Sequence, residues 1–315
     1  NKFDINSLVR ENVKAMKPYS SARDEFGGMH GIQQLKSQGL IGPDWVHYSK
    51  KGYEKQGKMF TEALIRAYDN YKKLKSLSRQ YNAPFLFETN VGAGLPIIDT
   101  VKNLIASGDK VHKIQAVLSG TLNYVFNHYD GTKPFADVVK QAQDEGYTEP
   151  DPRLDLSGTD VMRKILILAR EAGVQMEMEE IACNGFLPDS CMKGSVDDFY
   201  EAMKKEEAHF KAIFEKAHAE NCKLKFVASF NEGKASVGLQ HIPPQHDLYH
   251  LYGKDNVVLF YTDRYKEQPM VVKGAGAGAD LVVEEGEAAG ERALRLFGQH
   301  EAGLPVGRAV VAERG

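Results

Sequence analysis

The chain is predicted to fold as an α+β protein, with a mixed or antiparallel sheet covered by helices, on three observations. Helical and strand-like periodicities alternate from Tyr71 to Leu118, helices then follow one another to residue 221, and four strand-like segments cluster between 223 and 273. Strands gathered late in the chain, two of them joined by the hairpin turn Glu232-Gly233, suit antiparallel pairing.

Each element has its own signal. Tyr71–Tyr81 carries Leu74 and Leu77 on one helical face, and Phe85-Leu86-Phe87 reads as a short buried strand after Pro84. Pro96–Ser107 is a helix closed by Gly108, and Val111–Leu118 alternates as a strand. Thr121–Tyr129 and Phe135–Glu145 are helical, the second stopped by Gly146. Gly158–Ala172 is a strongly apolar helix ended by Gly173, with Ser157 as its expected N-cap. Val196–Asn221 reads as one long charged amphipathic helix. The expected strands are Lys223–Phe230, Ala235–Ile242, Asn256–Tyr261 and Pro269–Lys273.

The flanks read differently. Residues 1–66 form an atypical, mainly helical segment around the loop punctuation Gly27-Gly28 and Gly42-Pro43. Residues 67–273 make the main domain, and 274–315 a glycine loop with a helical tail over Glu284–Phe297 and a last strand over Arg308–Ala312. The chain opens Asn1-Lys2-Phe3-Asp4 without an initiator Met, as expected of a processed product or a fragment.

Composition excludes several classes. The 315 residues carry a net charge of −3, so no basic field draws in nucleic acid or an anionic membrane. No apolar run is long enough to span a bilayer, and the N-terminus lacks a secretory pattern. Cys183, Cys191 and Cys222 show no zinc spacing and suit a reducing cytoplasm. His246 and His250 share a helical spacing, but no third ligand is spaced with them.

The densest chemistry lies between Ala142 and Lys164. Gly146 ends a helix, Pro150 and Pro152 hold Glu149 and Asp151 extended, and Asp160 and Lys164 share a helical face. Glu149, Asp155, Asp160 and Lys164 can converge on one polar pocket, where acids grip an amino group and the lysine exchanges a proton with an oxygen. The same spacing also suits a capped helix with a surface ion pair.

The stretch Gly146-Tyr147-Thr148-Glu149-Pro150-Asp151-Pro152-Arg153-Leu154-Asp155-Leu156-Ser157-Gly158-Thr159-Asp160, continuing to Lys164, resembles the signature of homoserine dehydrogenases. So do Glu88-Thr89-Asn90-Val91-Gly92-Ala93-Gly94-Leu95-Pro96, Ser119-Gly120-Thr121-Leu122-Asn123-Tyr124 and Lys273-Gly274-Ala275-Gly276-Ala277-Gly278. The likeness covers residues 67–280 and is nearest to the dehydrogenase half of fused aspartokinase–homoserine dehydrogenases. It implies NAD- or NADP-dependent interconversion of L-aspartate 4-semialdehyde and L-homoserine, a step of threonine and methionine biosynthesis. Lys164 would transfer the proton, and Glu149, Asp155 and Asp160 would bind substrate. Glu88 and the carbonyls of Val91, Ala93 and Leu95 would hold a monovalent cation, usually sodium. Gly274, Gly276 and Gly278 would return to the cofactor. A homodimer or homotetramer through the strands at 223–273 is also implied.

Departures from the family are specific. No strand followed by G-x-G-x-x-G precedes residue 84, and Arg66-Ala67-Tyr68-Asp69 stands where the family carries Asn-Lys. A second reading is therefore a binding or assembly module without a nucleotide site. Asp44-Trp45-Val46-His47 resembles the C-terminal block of SGNH hydrolases, in which Asp44 and His47 would be acid and base, but no Gly-Asp-Ser nucleophile block is present. Leu8–Phe26 weakly resembles the start of a histidinol-phosphate aminotransferase.

Overall fold

The structure is a computed structural model that describes residues 39, 65, 67–80, 87–92 and 94–275. Nearly all of the segment expected over 1–66, including Asp44 and His47, and those expected at 85–86, 284–297 and 308–312 lie outside the described residues. The chain divides into two compact units, Asn1–Leu86 with Arg292–Glu313, and Phe87–Glu291 with Arg314–Gly315. In the first, α1 (Tyr68–Gln80) buries Tyr71 and Leu74, one helical turn apart.

The second unit carries, in chain order, α2 (Ile97–Ala106), β1 (Val111–Val117), α3 (Gly120–His128), α4 (Phe135–Asp144), the short α5 (Arg153–Leu156) and α6 (Thr159–Glu171). Then follow β2 (Ala182–Asn184), α7 (Val196–Lys205), α8 (Glu207–Ala219), β3 (Lys223–Asn231), β4 (Lys234–Ile242), β5 (Asn256–Thr262) and β6 (Met270–Gly274). The sheet order is β2-β4-β3-β1-β5-β6. Every pairing is antiparallel except β2 with β4, which makes the sheet mixed, as expected. Strand β2 was not foreseen, because three exposed residues carry no alternation to read.

Register sorts the two faces. Ile114 lies opposite Phe230 and Phe260, and Ala116 opposite Ala228 and Val258; all are buried. With Phe226 they form the face that receives the helices. On the other face Val117, Val227, Val257 and Leu259 are covered by Leu248 and Leu251 from the β4–β5 connection.

Two expectations are corrected. The N-cap of α6 is Gly158, not Ser157; it adopts φ +73°, and the Ser157 hydroxyl accepts from the Thr159 N–H instead. A side chain at 158 would collide with the sheet, since a Cβ there would stand 2.4 Å from Phe226 Cζ. The long helix expected over Val196–Asn221 is two helices broken at Glu206. The apolar stripe keeps phase through the break, so periodicity could not reveal it. Neighbouring acids are tied to different elements there: Glu206 accepts from the Ser190 hydroxyl at 2.7 Å, Glu207 from Tyr129 at 3.0 Å and from the Phe135 N–H at 2.7 Å.

Lys225 is fully buried on the Leu248/Leu251 side of the sheet. Its ammonium donates to Asn123 Oδ1 at 2.8 Å, Asn127 Oδ1 at 2.7 Å and the Leu251 carbonyl at 2.5 Å. Asn123 in turn donates to the carbonyls of Gly253 and Asp255, so the network fastens α3 and the connection to the sheet. Burial, with repulsion from Lys223 and Lys273, pushes Lys225 down from 10.5 to about 7.

Gly158→Ala should cost about 2 kcal/mol in urea unfolding, with part recovered by adding Phe226→Leu; an unchanged midpoint would contradict the clash. Between about 7 and 10.5 the unfolded chain keeps the Lys225 proton while the folded chain releases it, so unfolding free energy should rise with pH across that window. Lys225→Met should flatten the rise in pH-dependent denaturation.

Candidate active site

The site grows from the end of β1. Val117, opposite Val257, is the last ladder residue, and the buried Leu118 turns its carbonyl out to accept from Lys164 Nζ at 3.0 Å. Ser119 caps α3 by accepting from the Leu122 N–H at 3.1 Å. The Thr121 hydroxyl donates to the Tyr147 carbonyl and reaches Asp155 Oδ1 at 3.4 Å. Gly146, at φ +77°, ends the turn after α4 and releases the chain toward Glu149.

Asp155 stitches this segment together, because its Oδ2 accepts from the Glu149 N–H at 2.8 Å. Burial raises its carboxyl above the ordinary range, and the nearby charges of Glu149 and Asp160 add to the rise. Asp151 is otherwise engaged: its carboxylate accepts from the Arg153 N–H and pairs with the Arg153 guanidinium at 2.7 Å, which holds it low.

Lys164 lies one turn beyond Asp160 on α6 and pairs with Asp160 Oδ2 at 2.6 Å. The lysine side chain is 18% exposed and the aspartate 48%, so the pair stands at a rim, cationic head inward. The fold thus brings Lys164 and Asp160 into contact and sets Asp155, joined to the Glu149 backbone, within their field.

A second group of predicted residues flanks α2. Glu88 opens a 3-10 turn over Glu88–Asn90, and its carboxylate caps α2, accepting from the Ile98 N–H at 2.6 Å and the Asp99 N–H at 2.8 Å. Burial, reinforced by the neighbouring Asp99 charge, still raises Glu88 from 4.5 to about 7. Leu95 packs where Gly274 lacks a side chain: a Cβ there would stand 3.0 Å from Leu95 Cδ2. Glycine therefore lets the end of β6 approach the 88–95 loop. Ala93, Gly276 and Gly278 lie outside the described residues.

Sequence reasoning missed three contributors. The Leu118 carbonyl has no side-chain signature, and Thr121 was visible only as part of a motif. Asn256, the first residue of β5, is 4% exposed, and its Oδ1 is buried without a partner among the described residues. It lies opposite Gly274 in the ladder. The histidines are engaged separately: His241 with Glu220 at 2.5 Å, His246 accepting from the Leu248 N–H, and His250 beside the Tyr252 hydroxyl at 3.2 Å. No helix among the described residues is long and apolar enough to cross a membrane.

Comparison with known proteins places this geometry. The family model described as homoserine dehydrogenase matches residues 96–284. The chain is 41% identical over 216 residues to the chloroplastic bifunctional aspartokinase/homoserine dehydrogenase 2 of Zea mays, covering 68% of this chain and 24% of that protein. It is 39% identical over 228 residues to the homoserine dehydrogenase of Schizosaccharomyces pombe, covering 69% of this chain and 60% of the relative. The chain therefore spans about a quarter of the bifunctional relative and three fifths of the other. A hyperthermophilic archaeal homoserine dehydrogenase in complex with NADPH shares the fold at 20% identity and a TM-score of 0.55, over 80% of this chain and 70% of that one. The hydrolase-like reading of Asp44 and His47 is not borne out, since the family match begins at residue 96. By the extent of that match, this chain belongs to the homoserine dehydrogenase family.

Proposed function

We propose that this chain supplies the substrate-side machinery for NAD(P)-dependent interconversion of L-aspartate 4-semialdehyde and L-homoserine. One observation carries the reading. An ammonium has three N–H donors; Lys164 commits one to Asp160 and one to the Leu118 carbonyl, and the third has no partner among the described residues. That donor is available to a substrate oxygen, carbonyl in one direction and hydroxyl in the other, so Lys164 gives or receives the proton there. The carboxylates of Glu149 and Asp160 attract the substrate amino group, and Asp155 holds the Glu149 segment in place.

A bound nicotinamide dinucleotide would supply or take the hydride. Gly274, with Gly276 and Gly278, would approach it by bare backbone. The orphaned Asn256 Oδ1 opposite Gly274 fits a polar group arriving from outside the protein. NADPH in the archaeal relative supports the same class of cofactor.

Glu88 and the carbonyls of Val91, Ala93 and Leu95 are inferred to hold a monovalent cation, sodium by preference. A buried carboxylate whose strongest influence is desolvation, with a second acid beside it, gains from such a charge. A second copy of the chain would pair on the sheet face away from the helices, where Gln115 Oε1 is buried without a partner among the described residues and Val271 is 46% exposed. The free cysteines are consistent with a reducing compartment, the cytoplasm in the simplest case.

Lys164→Met should lower kcat for homoserine oxidation about 10²- to 10⁴-fold, followed as NADPH absorbance, with a smaller change in KM. Undiminished turnover in this variant removes the lysine from the mechanism. For Glu88 the folded state favours the proton, so its stabilising contribution is present below 4.5 and is lost as pH rises through about 7. Sodium chloride should therefore raise Tm more above pH 7 than near 4.5, relative to tetramethylammonium chloride at equal ionic strength. Glu88→Gln should abolish that difference.

A further inference from the structure

We propose that Asn256 is a cofactor-binding residue whose side-chain amide pairs with the carboxamide of the nicotinamide ring, accepting from its N–H and donating to its carbonyl. The inference rests on the nicotinamide reading above and adds the group that recognises the ring.

Its first support is an unpaid polar atom. Asn256 is 4% exposed, and Oδ1 is buried with no hydrogen-bond partner among the described residues. Buried side-chain amides in folded proteins are nearly always paired, so an orphan at a candidate site marks a place where a ligand completes the bonding. An asparagine serving only to start a strand would bond its own backbone or a neighbouring turn.

Position supplies the second support. Val257 pairs with Val117, so Asn256 lies beside Leu118, whose carbonyl holds Lys164; on the other side Asn256 pairs with Gly274. Adjacent strands are about 4.8 Å apart, so Asn256 stands one strand from the lysine's anchor and one strand from Gly274. By alternation it shares the helix-facing side with Val258 and Phe260, the side on which Phe226 meets the start of α6. The other orphan, Gln115 Oε1, is on the opposite face of the sheet.

Chemistry supplies the third. Hydride transfer requires ring carbon C4 against the substrate carbon whose oxygen meets Lys164, and the carboxamide is carried on the adjacent ring carbon. A residue between the lysine's anchor and Gly274 is within that group's reach. Each amide presents an N–H₂ and a carbonyl, so two of them pair at two points; a site built this way discriminates against an analogue lacking the N–H₂.

The test uses the full chain and two probes, NADPH and the reduced 3-acetylpyridine analogue, whose methyl ketone replaces the amide. Binding is titrated by fluorescence, and Tm is measured without ligand. The unsubstituted chain should prefer NADPH, and Asn256→Leu should shrink that preference about tenfold. Ligand-free Tm should hold or rise in Asn256→Leu, because a buried partnerless amide has been replaced by an apolar group of similar size. A preference retained in Asn256→Leu overturns the assignment while leaving the cofactor reading intact; a lowered ligand-free Tm with the preference retained does the same, by placing the amide in the fold. Failure of the unsubstituted chain to bind either dinucleotide overturns both. If Asn256→Leu does not fold, Asn256→Ser carries the same comparison of the two probes.

Discussion

A single carbonyl joins the sheet to the helices at the place where chemistry is expected. Leu118 stands one residue beyond the last ladder pair of the central strand β1, and its oxygen receives Lys164 from α6. A lysine held by a backbone carbonyl and a carboxylate one helical turn away has little freedom to swing. That constraint depends on how closely α6 approaches the sheet. Gly158, at φ +73° against Phe226, is what permits the approach, so a glycine at the start of α6 helps set the position of an amine farther along the same helix.

Polar groups inside this unit fall into two classes. Lys225, Asn123 and Asn127 are fully occupied, and they bind the β4–β5 connection to the sheet through carbonyl acceptors. Their bonding offsets only part of the desolvation of a charge that has no buried carboxylate beside it among the described residues, which is why burial still lowers the lysine's pKa. Asn256 and Gln115 each keep an oxygen without a partner among the described residues. An unsatisfied buried acceptor costs about 1–3 kcal/mol, a large share of a domain's net stability. The two oxygens lie on opposite faces, one toward the helices, the other on the face that carries Leu248 and Leu251.

Acidic residues of similar appearance in the motif have different physical duties. Asp160 holds the lysine, Asp155 holds the backbone before Pro150, Asp151 holds Arg153 at the start of α5, and Glu88 caps α2. Of these side chains, that of Asp160 is 48% exposed. The structural hydrogen bonds of this stretch are thus carried largely by acids other than the one paired with the lysine.

The sequence by itself determined the class of fold, most element boundaries to within a residue or two, and the pairing of Asp160 with Lys164. Alternation and amphipathic period depend on neighbours along the chain, and the Asp160–Lys164 pair needs only helical spacing. The kink at Glu206, the short parallel β2 and the cap at Gly158 were decided by tertiary contacts: side chains of Ser190 and Tyr129, an edge pairing with β4, and the ring of Phe226. The same holds for Leu118, Lys225 and Asn256. A backbone oxygen, a lysine within a strand and an asparagine at a strand's first position look unremarkable in one dimension. They acquire their roles only when strands distant in sequence bring them together, because burial and partner geometry are properties of the packed sheet and not of local pattern.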